Sequence, residues 1–351
     1  MTEFATRLLA WFDEHGRKDL PWQVTDPYRV WVSEIMLQQT QVQTVIPYYE
    51  RFIERFPDVT SLADAAVDEV LHHWSGLGYY ARGRNLHAAA EQVRDRHGGV
   101  LPDKLDELQA LPGIGLSTAA AILALAHGQR HAILDGNVKR VLARHAAVEG
   151  WPGKTAVAKR LWALADAYTP NLRVGEYTQA IMDLGAKLCT RTKPACGACP
   201  LQADCEAYLS DAVTLYPGRK PKKAKPLRAT TMVIAVTGNA VYLERRPPAG
   251  IWGGLWSLPE IDDDAVDEWC HSLGGDLAAE YDRWQPLRHS FSHYDLDIHP
   301  VVVRLATSGL SVADRDDAVW YRLDDTPPGG LAAPVRKLID NLRETEHVAN
   351  G

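Results

Sequence analysis

Residues 111–145 read LPGIGLSTAAAILALAHGQRHAILDGNVKRVLARH, and this stretch decides the fold of the N-terminal part of the chain. Gly113 and Gly115 allow a tight turn between two helices, one expected over DKLDELQA and one over STAAAILALA. The second helix would present its free N–H groups at that turn, a ready site for a phosphate. Taken alone, LPGIG reads better as an ordinary helix–helix turn. Asp135 changes the balance: it stands twenty residues after Gly115, with an apolar run before it and a basic helix after it. Followed by Gly-Asn and an amphipathic segment, it is a good N-cap. The helix N-terminus favours its charge, so the carboxylate is expected to stay ionised. A fixed negative charge is what a cationic transition state needs.

The rest of the chain fits around this centre. A length of 351 residues suggests two or three domains, and 46% hydrophobic with 24% charged residues is the composition of a folded protein. No apolar run is long enough to cross a membrane, and the N-terminus lacks the pattern of a signal peptide. The expected location is therefore cytoplasmic, or nucleoid-associated in a bacterium. Residues 1–216 carry apolar residues at three- and four-residue spacing in many short stretches punctuated by Gly and Pro, which predicts an all-α region. One such stretch is VWVSEIMLQQTQVQTVIPYYERFIERF, residues 30–56. After the basic joint at residues 217–228 the texture changes. TTMVIAVTGNAVYLERR predicts two strands around a Gly-Asn turn, SFSHYDLDIHPVVVRL predicts strand, and VDEWCHSLG and PVRKLIDNLRE predict helices. Residues 229–351 are therefore an expected α+β domain, and no internal repeat is visible. The net charge of −7 is unevenly spread: −3 over residues 1–216, +6 over 217–228 (PGRKPKKAKPLR), and −10 over 229–351. The basic joint reads as a solvated linker or as a strap along a polyanion.

Four of the five cysteines fall in Cys189-x6-Cys196-x2-Cys199-x5-Cys205. Without a secretory signal, such clustering implies zinc or an iron–sulfur cluster rather than disulfides. Zinc ribbons use two separated Cys-x2-Cys knuckles and this loop has one, which favours the cluster. Arg191 and Lys193 in the same loop suggest phosphate contact, although exposed charge alone would also explain them. Cys270 stands apart and reads as a small buried hydrophobe. GLGYYARGRN, residues 76–85, carries Tyr79 and Tyr80 and then Arg82 and Arg84, as aromatic wedges and phosphate contacts would, or as a packed loop would. SEIMLQQTQV, residues 33–42, sets Glu34 among Val30, Trp31, Val32, Ile35, Met36 and Leu37. Desolvation there would raise its pKa and make it a general acid near neutral pH. The plain alternative is a carboxylate satisfied by a structural arginine or a backbone N–H. Beside Asp135, one acid kept protonated and one kept charged form the pair used in glycoside hydrolysis.

Together VWVSEIMLQQTQV, GLGYYARGRNL, LPGIGLSTAAAI, LDGNVKRVLAR and the cysteine loop closely resemble the MutY-type adenine DNA glycosylases of the helix–hairpin–helix, endonuclease III superfamily. LPW at 20–22, YPGRKPK at 216–222 and FSH at 291–293 extend the resemblance over nearly the whole chain. It implies base excision repair: removal of adenine mispaired with 8-oxoguanine or guanine in double-stranded DNA, by a monomer carrying a [4Fe-4S] cluster on Cys189, Cys196, Cys199 and Cys205. It further implies that Glu34 protonates adenine. Asp135 would stabilise the sugar cation or form a transient adduct, with Asn137 in support. Trp22 and Leu37 would line the adenine pocket. Gln39, Thr40, Leu77 and Tyr79 would wedge around the lesion, and Arg82, Gly113 and Gly115 would contact DNA.

Bifunctional relatives of the endonuclease III type place a Schiff-base lysine directly after the hairpin, where this chain has Ser117. A serine cannot form an imine, so base excision without an efficient lyase step is expected. GLWSLPEIDDDAVDEWCHSLGG matches a Nudix box at Gly254 and Glu260, but Glu268, Trp269, Ser272 and Leu273 replace its Arg, Glu, Glu, Glu. Pyrophosphate hydrolysis is accordingly not expected. A Nudix-like lesion-recognition domain remains, with Phe291, Ser292 and His293 as the implied reading loop; by pattern alone these three read as ordinary strand. The expected architecture is multidomain: an all-α helix–hairpin–helix glycosylase region with a cluster loop (1–216), a basic linker (217–228) and an α+β Nudix-like domain (229–351). The competing readings are a bifunctional glycosylase and AP lyase, a nucleotide hydrolase, and a non-catalytic iron–sulfur DNA-binding protein.

Overall fold

The computed structural model describes residues 1–221, 224–247, 250–273, 281–291, 293–305 and 317–349. In chain order the helices are α1 (Glu3–His15), α2 (Pro27–Leu37), α3 (Val42–Arg55), α4 (Val59–Asp64), α5 (Val67–His73), α6 (Ala81–His97), α7 (Leu105–Gln109), α8 (Leu116–His127), α9 (Gly136–His145), α10 (Thr155–Tyr168), α11 (Val174–Lys187), α12 (Glu206–Leu209), α13 (Val266–Ser272) and α14 (Ala333–Ala349). The strands are β1 (Leu227–Thr237), β2 (Ala240–Arg245), β3 (Trp256–Ser257), β4 (Asp282–Arg283), β5 (Leu287–Ser290), β6 (Asp295–Arg304) and β7 (Ala318–Arg322). Two compact units result, residues 1–65 with 84–222, and residues 66–83 with 223–351. Among the described residues no helix is long and apolar enough to cross a membrane.

The first unit is helical. Phe4, Leu8, Leu9 and Phe12 recur at three- and four-residue spacing on α1 and are buried against α8, α9 and α11 in one core. The helix α2 starts on an Asp26 cap with Pro27 in its first turn, and the Asp26 carboxylate accepts from the Tyr28 N–H at 3.0 Å. The single periodic stretch 30–56 is broken in the structure. Gln39 has φ 60°, a left-handed conformation that ends the hydrogen-bond ladder and separates α2 from α3. The hairpin forms as its sequence predicts. Gly113 lies at φ 78°, and a Cβ there would stand 2.8 Å from Asn85 Cβ; Gly115 is the N-cap of α8. The apolar α8 is buried from Ala119 through Ala124 and packs on α2 and α11.

The second unit is built on a mixed sheet in the order β3-β2-β1-β6-β4, with β5 also on β6 and β7 also on β2. β1 and β6 run parallel; the other pairs are antiparallel. The hairpin around Gly238 and Asn239 sets Val236 opposite Val241, as expected from the Gly-Asn turn. β1 is buried on both faces. Met232, Ile234 and Val236 face a core shared with α14, while Val233 and Ala235 face one shared with α13 and Cys270. The strand begins at Leu227, inside the basic stretch. There Lys225 Nζ donates to the Phe291 carbonyl at 2.7 Å and the Arg228 guanidinium lies 4.6 Å from the Tyr294 ring centre. The strand reading of Phe291 and His293 is overturned: both lie between β5 and β6, where the Phe291 N–H donates to the Tyr294 carbonyl at 2.9 Å. Ser292 lies outside the described residues.

Candidate active site

Seven of the eleven residues of α2 are buried: Tyr28, Val30 through Ser33, Ile35 and Met36. Beyond Val30 the partly open positions are Glu34 and Leu37, and both face a cleft of about 940 Å³. Trp22, Gln39, Thr40, Ser117, Asp135 and Asn137 line the same cleft, so eight residues singled out in the sequence meet in one place. Trp22 is 5% exposed and set edge-on to Tyr49, with ring centres 5.3 Å apart. Gly113 and Gly115 shape the hairpin of the same unit. Leu77, Tyr79, Arg82, Phe291 and His293 belong to the second unit. Tyr79 is 60% exposed, whereas Leu77 is buried.

The two carboxyl groups differ in their surroundings. Burial pushes Glu34 up from 4.5 to about 8, and the negative charge of Asp135 adds to the effect. Glu34 keeps a little solvent through the cleft it lines, while protein encloses it on its other sides. Burial also raises Asp135, against the expectation that capping alone would hold it in the ordinary carboxylate range. The N–H groups of Val138 and Asn137 and the charges of Arg140 and Lys139 oppose that rise. The Val138 N–H reaches Asp135 Oδ1 at 2.8 Å, the N-cap bond of α9. Asp135 has donors and cations around it that oppose the effect of burial, whereas Glu34 has none that does, so the cleft favours a negative charge at Asp135 and a proton on Glu34. Ser117 holds the approach to this pair, its Oγ accepting from the Leu134 N–H at 2.9 Å.

One arginine that the sequence reading passed over organises the back of the cleft. Arg140 Nη2 donates to Asn137 Oδ1 at 2.8 Å and to the Gly185 carbonyl at 2.6 Å, and its Nε donates to the Cys189 carbonyl at 2.6 Å. Gly185 allows α11 to come this close to α9, since a Cβ there would stand 2.6 Å from Asn137 Cβ. Arg17 makes a second cluster, its backbone N–H and Nε donating to the fully buried Asp183 at 2.8 and 2.9 Å, with Gln179 donating to the same carboxylate at 2.8 Å. A basic residue three positions after Asn137 on a capped helix was the available signal for Arg140. Nothing local in the sequence pairs Arg17 with Asp183.

Cys189, Cys196, Cys199 and Cys205 line one cavity, closed by Leu184, Leu188, Leu201 and Val213. Burial, and after it neighbouring charges, push the Cys199 thiol up to about 11; burial raises Cys196 and Cys205 as well. Thiolates in such a place need bound cations to offset their charge. Among the described residues no three Cys, His, Asp or Glu side chains converge on a point that would hold a single metal ion. Four thiols spread around a cavity suit a multi-atom cluster better than one zinc. Arg144, 4% exposed, frames the loop: Nη1 donates to Cys189 Sγ at 3.3 Å and to the Thr190 carbonyl at 2.7 Å, and Nε to the Tyr216 carbonyl at 3.0 Å. In the second unit the Nudix-box Glu260 is paired with Arg246.

A hairpin-bearing helical unit, a cleft with one protonated and one charge-stabilised carboxyl, and a four-thiol loop define a class. Residues 32–167 match the model of the HhH-GPD superfamily of base excision DNA repair proteins, residues 189–205 that of the iron-sulfur binding domain of endonuclease III, and residues 230–341 that of the NUDIX domain. A thermostable thymine-DNA glycosylase is 27% identical with a TM-score of 0.52, covering 59% of this chain and 95% of its own; a non-covalent endonuclease III–DNA complex shares the fold at 20% identity and a TM-score of 0.51, over 59% and 94%. The adenine DNA glycosylase of Buchnera aphidicola (from Acyrthosiphon pisum) is 36% identical over 97% of this chain and 98% of its own length. Those of Mus musculus and Homo sapiens are 36% and 35% identical over 97% of this chain, covering 78% and 74% of theirs. The chain belongs to the adenine DNA glycosylase family. It is a DNA N-glycosylase of base excision repair, acts on DNA, and carries a [4Fe-4S] cluster in its cysteine loop.

Proposed function

We propose that the enzyme excises adenine paired with 8-oxoguanine or guanine and leaves an abasic site without cutting the strand. The observation that carries this reading is the unequal carboxyl pair in one cleft. Glu34, protonated at neutral pH, donates to a ring nitrogen of adenine, and the C–N bond breaks with its electron pair leaving on the base. Asp135 stabilises the positive charge that develops on the sugar, held in place through Asn137 and Arg140. Water adds to the sugar carbon and gives up a proton, completing a hydrolysis. Trp22 and Leu37 enclose the base. Gln39, Thr40, Leu77 and Tyr79 fill the space around the lesion. Arg82, whose guanidinium donates to the Gly78 carbonyl, supports that loop and adds charge toward phosphate. Gly113 and Gly115 bring backbone N–H groups to phosphate, and Phe291, Ser292 and His293 read the lesion's edge.

The monofunctional assignment rests on Ser117, which supplies a hydroxyl where a lyase needs an amine. Cys189, Cys196, Cys199 and Cys205 would hold the cluster, whose iron would offset the charge of four half-buried thiolates in one loop. Residues 1–216 act as the glycosylase region, 217–228 as the joint and 229–351 as the lesion reader. The enzyme works as a monomer on nucleoid or cytoplasmic DNA.

The test is single-turnover excision on duplexes carrying A:8-oxoguanine, A:G and A:T, with products resolved with and without alkali. Fast release from the first, slower release from the second, none from the third, and breaks only after alkali are expected. Strand breaks without alkali would overturn the monofunctional reading. Equal release from all three would overturn the mispair reading.

A further inference from the structure

Residues 66–83 precede the hairpin in sequence yet pack with the sheet. α5 buries Leu71 in the core of Met232, Ile234, Leu255 and Leu331. Gly330 has no side chain here because a Cβ would stand 3.0 Å from Leu255 Cδ2 and 3.2 Å from the Leu71 carbonyl. Three polar contacts join the same segment to the same unit. Arg245 Nη2, on β2, donates to Asp68 Oδ1 at 2.7 Å. The Tyr80 hydroxyl donates to the Leu331 carbonyl at 2.9 Å and accepts from the Gly76 N–H at 3.4 Å. Arg336 Nη2, on α14, donates to Ser75 Oγ at 2.7 Å.

These contacts frame a loop with a constrained backbone. Gly76, Gly78 and Tyr79 all lie at positive φ, 96°, 78° and 51°. For Tyr79 that conformation is unfavourable and persists only where the surroundings hold it. The holding groups are visible: Trp74 Nε1 and Arg82 Nη2 both donate to the Gly78 carbonyl at 3.1 Å, and the Arg82 guanidinium lies 5.4 Å from the Tyr79 ring centre. The result is an exposed aromatic ring on a stiff loop whose base is fastened to the sheet.

We propose that Asp68–Arg245, Tyr80–Leu331 and Ser75–Arg336 form a latch that makes the Leu77–Tyr79 loop a working part of the lesion-reading unit. Asp68, Arg245, Tyr80, Ser75 and Arg336 are then positioning residues for discrimination of 8-oxoguanine from guanine opposite adenine. The inference rests on the reading of Tyr79 as a wedge beside the lesion.

The test uses full-length, cluster-loaded enzyme. Single-turnover adenine excision is measured on A:8-oxoguanine and A:G duplexes for wild type, Asp68→Ala, Arg245→Ala, and the charge-swapped double variant Asp68→Arg/Arg245→Asp. Each single variant is expected to lower the ratio of the two rates by about three- to tenfold, the range of coupling seen between contacting residues. The A:8-oxoguanine rate falls and the A:G rate holds. The swap restores most of the ratio, and hydrogen exchange at the amides of residues 76–80 rises in the single variants and falls back in the swap. Ser75→Ala removes only a hydroxyl and is expected to move the ratio in the same direction by less, which keeps the question open to test if Asp68→Ala misfolds. Unchanged ratios in the single variants, or equal losses on both duplexes without recovery in the swap, would overturn the proposal alone. A wild-type enzyme with equal rates on both duplexes would overturn the lesion reading and the latch with it.

Discussion

Replacing Glu34 by Gln keeps the shape of the side chain and removes its titration, so it separates the acid's chemical role from its effect on stability. In the folded enzyme burial and the charge of Asp135 raise Glu34 from 4.5 to about 8. In the unfolded chain the carboxyl loses its proton at the lower value. The folded state is therefore favoured, relative to higher pH, as long as both states are protonated, below about pH 4.5. That advantage is lost as pH rises through about 8. At about 1.4 kcal/mol per pH unit, Glu34 weakens the fold by about 3 kcal/mol at pH 7 and about 5 kcal/mol well above pH 8. Partial solvent access through the cleft reduces these figures, so about 2 kcal/mol at pH 8 is the expected gain for Glu34→Gln. Denaturant melts of wild type and variant from pH 4 to pH 9 test it. The two curves should meet near pH 4.5 and separate progressively above it, while single-turnover excision by the variant falls by about 10²–10⁴-fold, the usual worth of a positioned acid. A stability difference that does not change with pH, or a variant less stable at pH 8, would refute the assignment of a desolvated acid at this position.

Ser117→Ala strands the buried Leu134 N–H beside Asp135; a loss of about 1–3 kcal/mol in denaturant stability is expected, with excision slowed and duplex binding kept, as gel-shift titration would show. Gly185→Ala places a Cβ 2.6 Å from Asn137 Cβ; the helices α9 and α11 must separate, lowering stability by about 1–3 kcal/mol and slowing excision more than duplex binding, by melts and single-turnover rates together. Purified enzyme should be brown, with iron and sulfide in equal amounts and little zinc, and iron removal should lower DNA affinity and speed proteolysis near residues 189–216, read by elemental analysis and limited digestion.

How much of this was legible in the sequence depended on whether the signal was local. The hairpin, the Asp135 cap and the cysteine loop each depend on residues close in the chain, and their positions followed from spacing. Glu34 was legible because one charge in an apolar helix is itself an anomaly. Phe291 and His293 misled, since a connection between two strands can keep the alternation of a strand. The break at Gln39 had a signal in Gln38, Gln39 and Gln41, since three glutamines in four residues suit a helix end better than a buried helix, although the apolar spacing runs on through residue 56. Arg17 with Asp183, and Asp68 with Arg245, were invisible because their partners lie more than one hundred residues apart and no periodicity links them. Asp135 was half legible: capping predicts a low pKa, but the burial that opposes it belongs to packing.

Glu260 has a further consequence. It is the box acid that this chain keeps, and its carboxylate is tied to Arg246, with Thr230 Oγ1 donating to it at 3.5 Å. Restoring the box arginine at Glu268 and its acids at Trp269, Ser272 and Leu273 would still leave this carboxylate committed to the Arg246 guanidinium. The box thus departs from its pattern in two ways, in four replaced positions and in a kept carboxylate that serves as a strut. A complete box would need changes at several of these positions together and the release of Glu260 from Arg246.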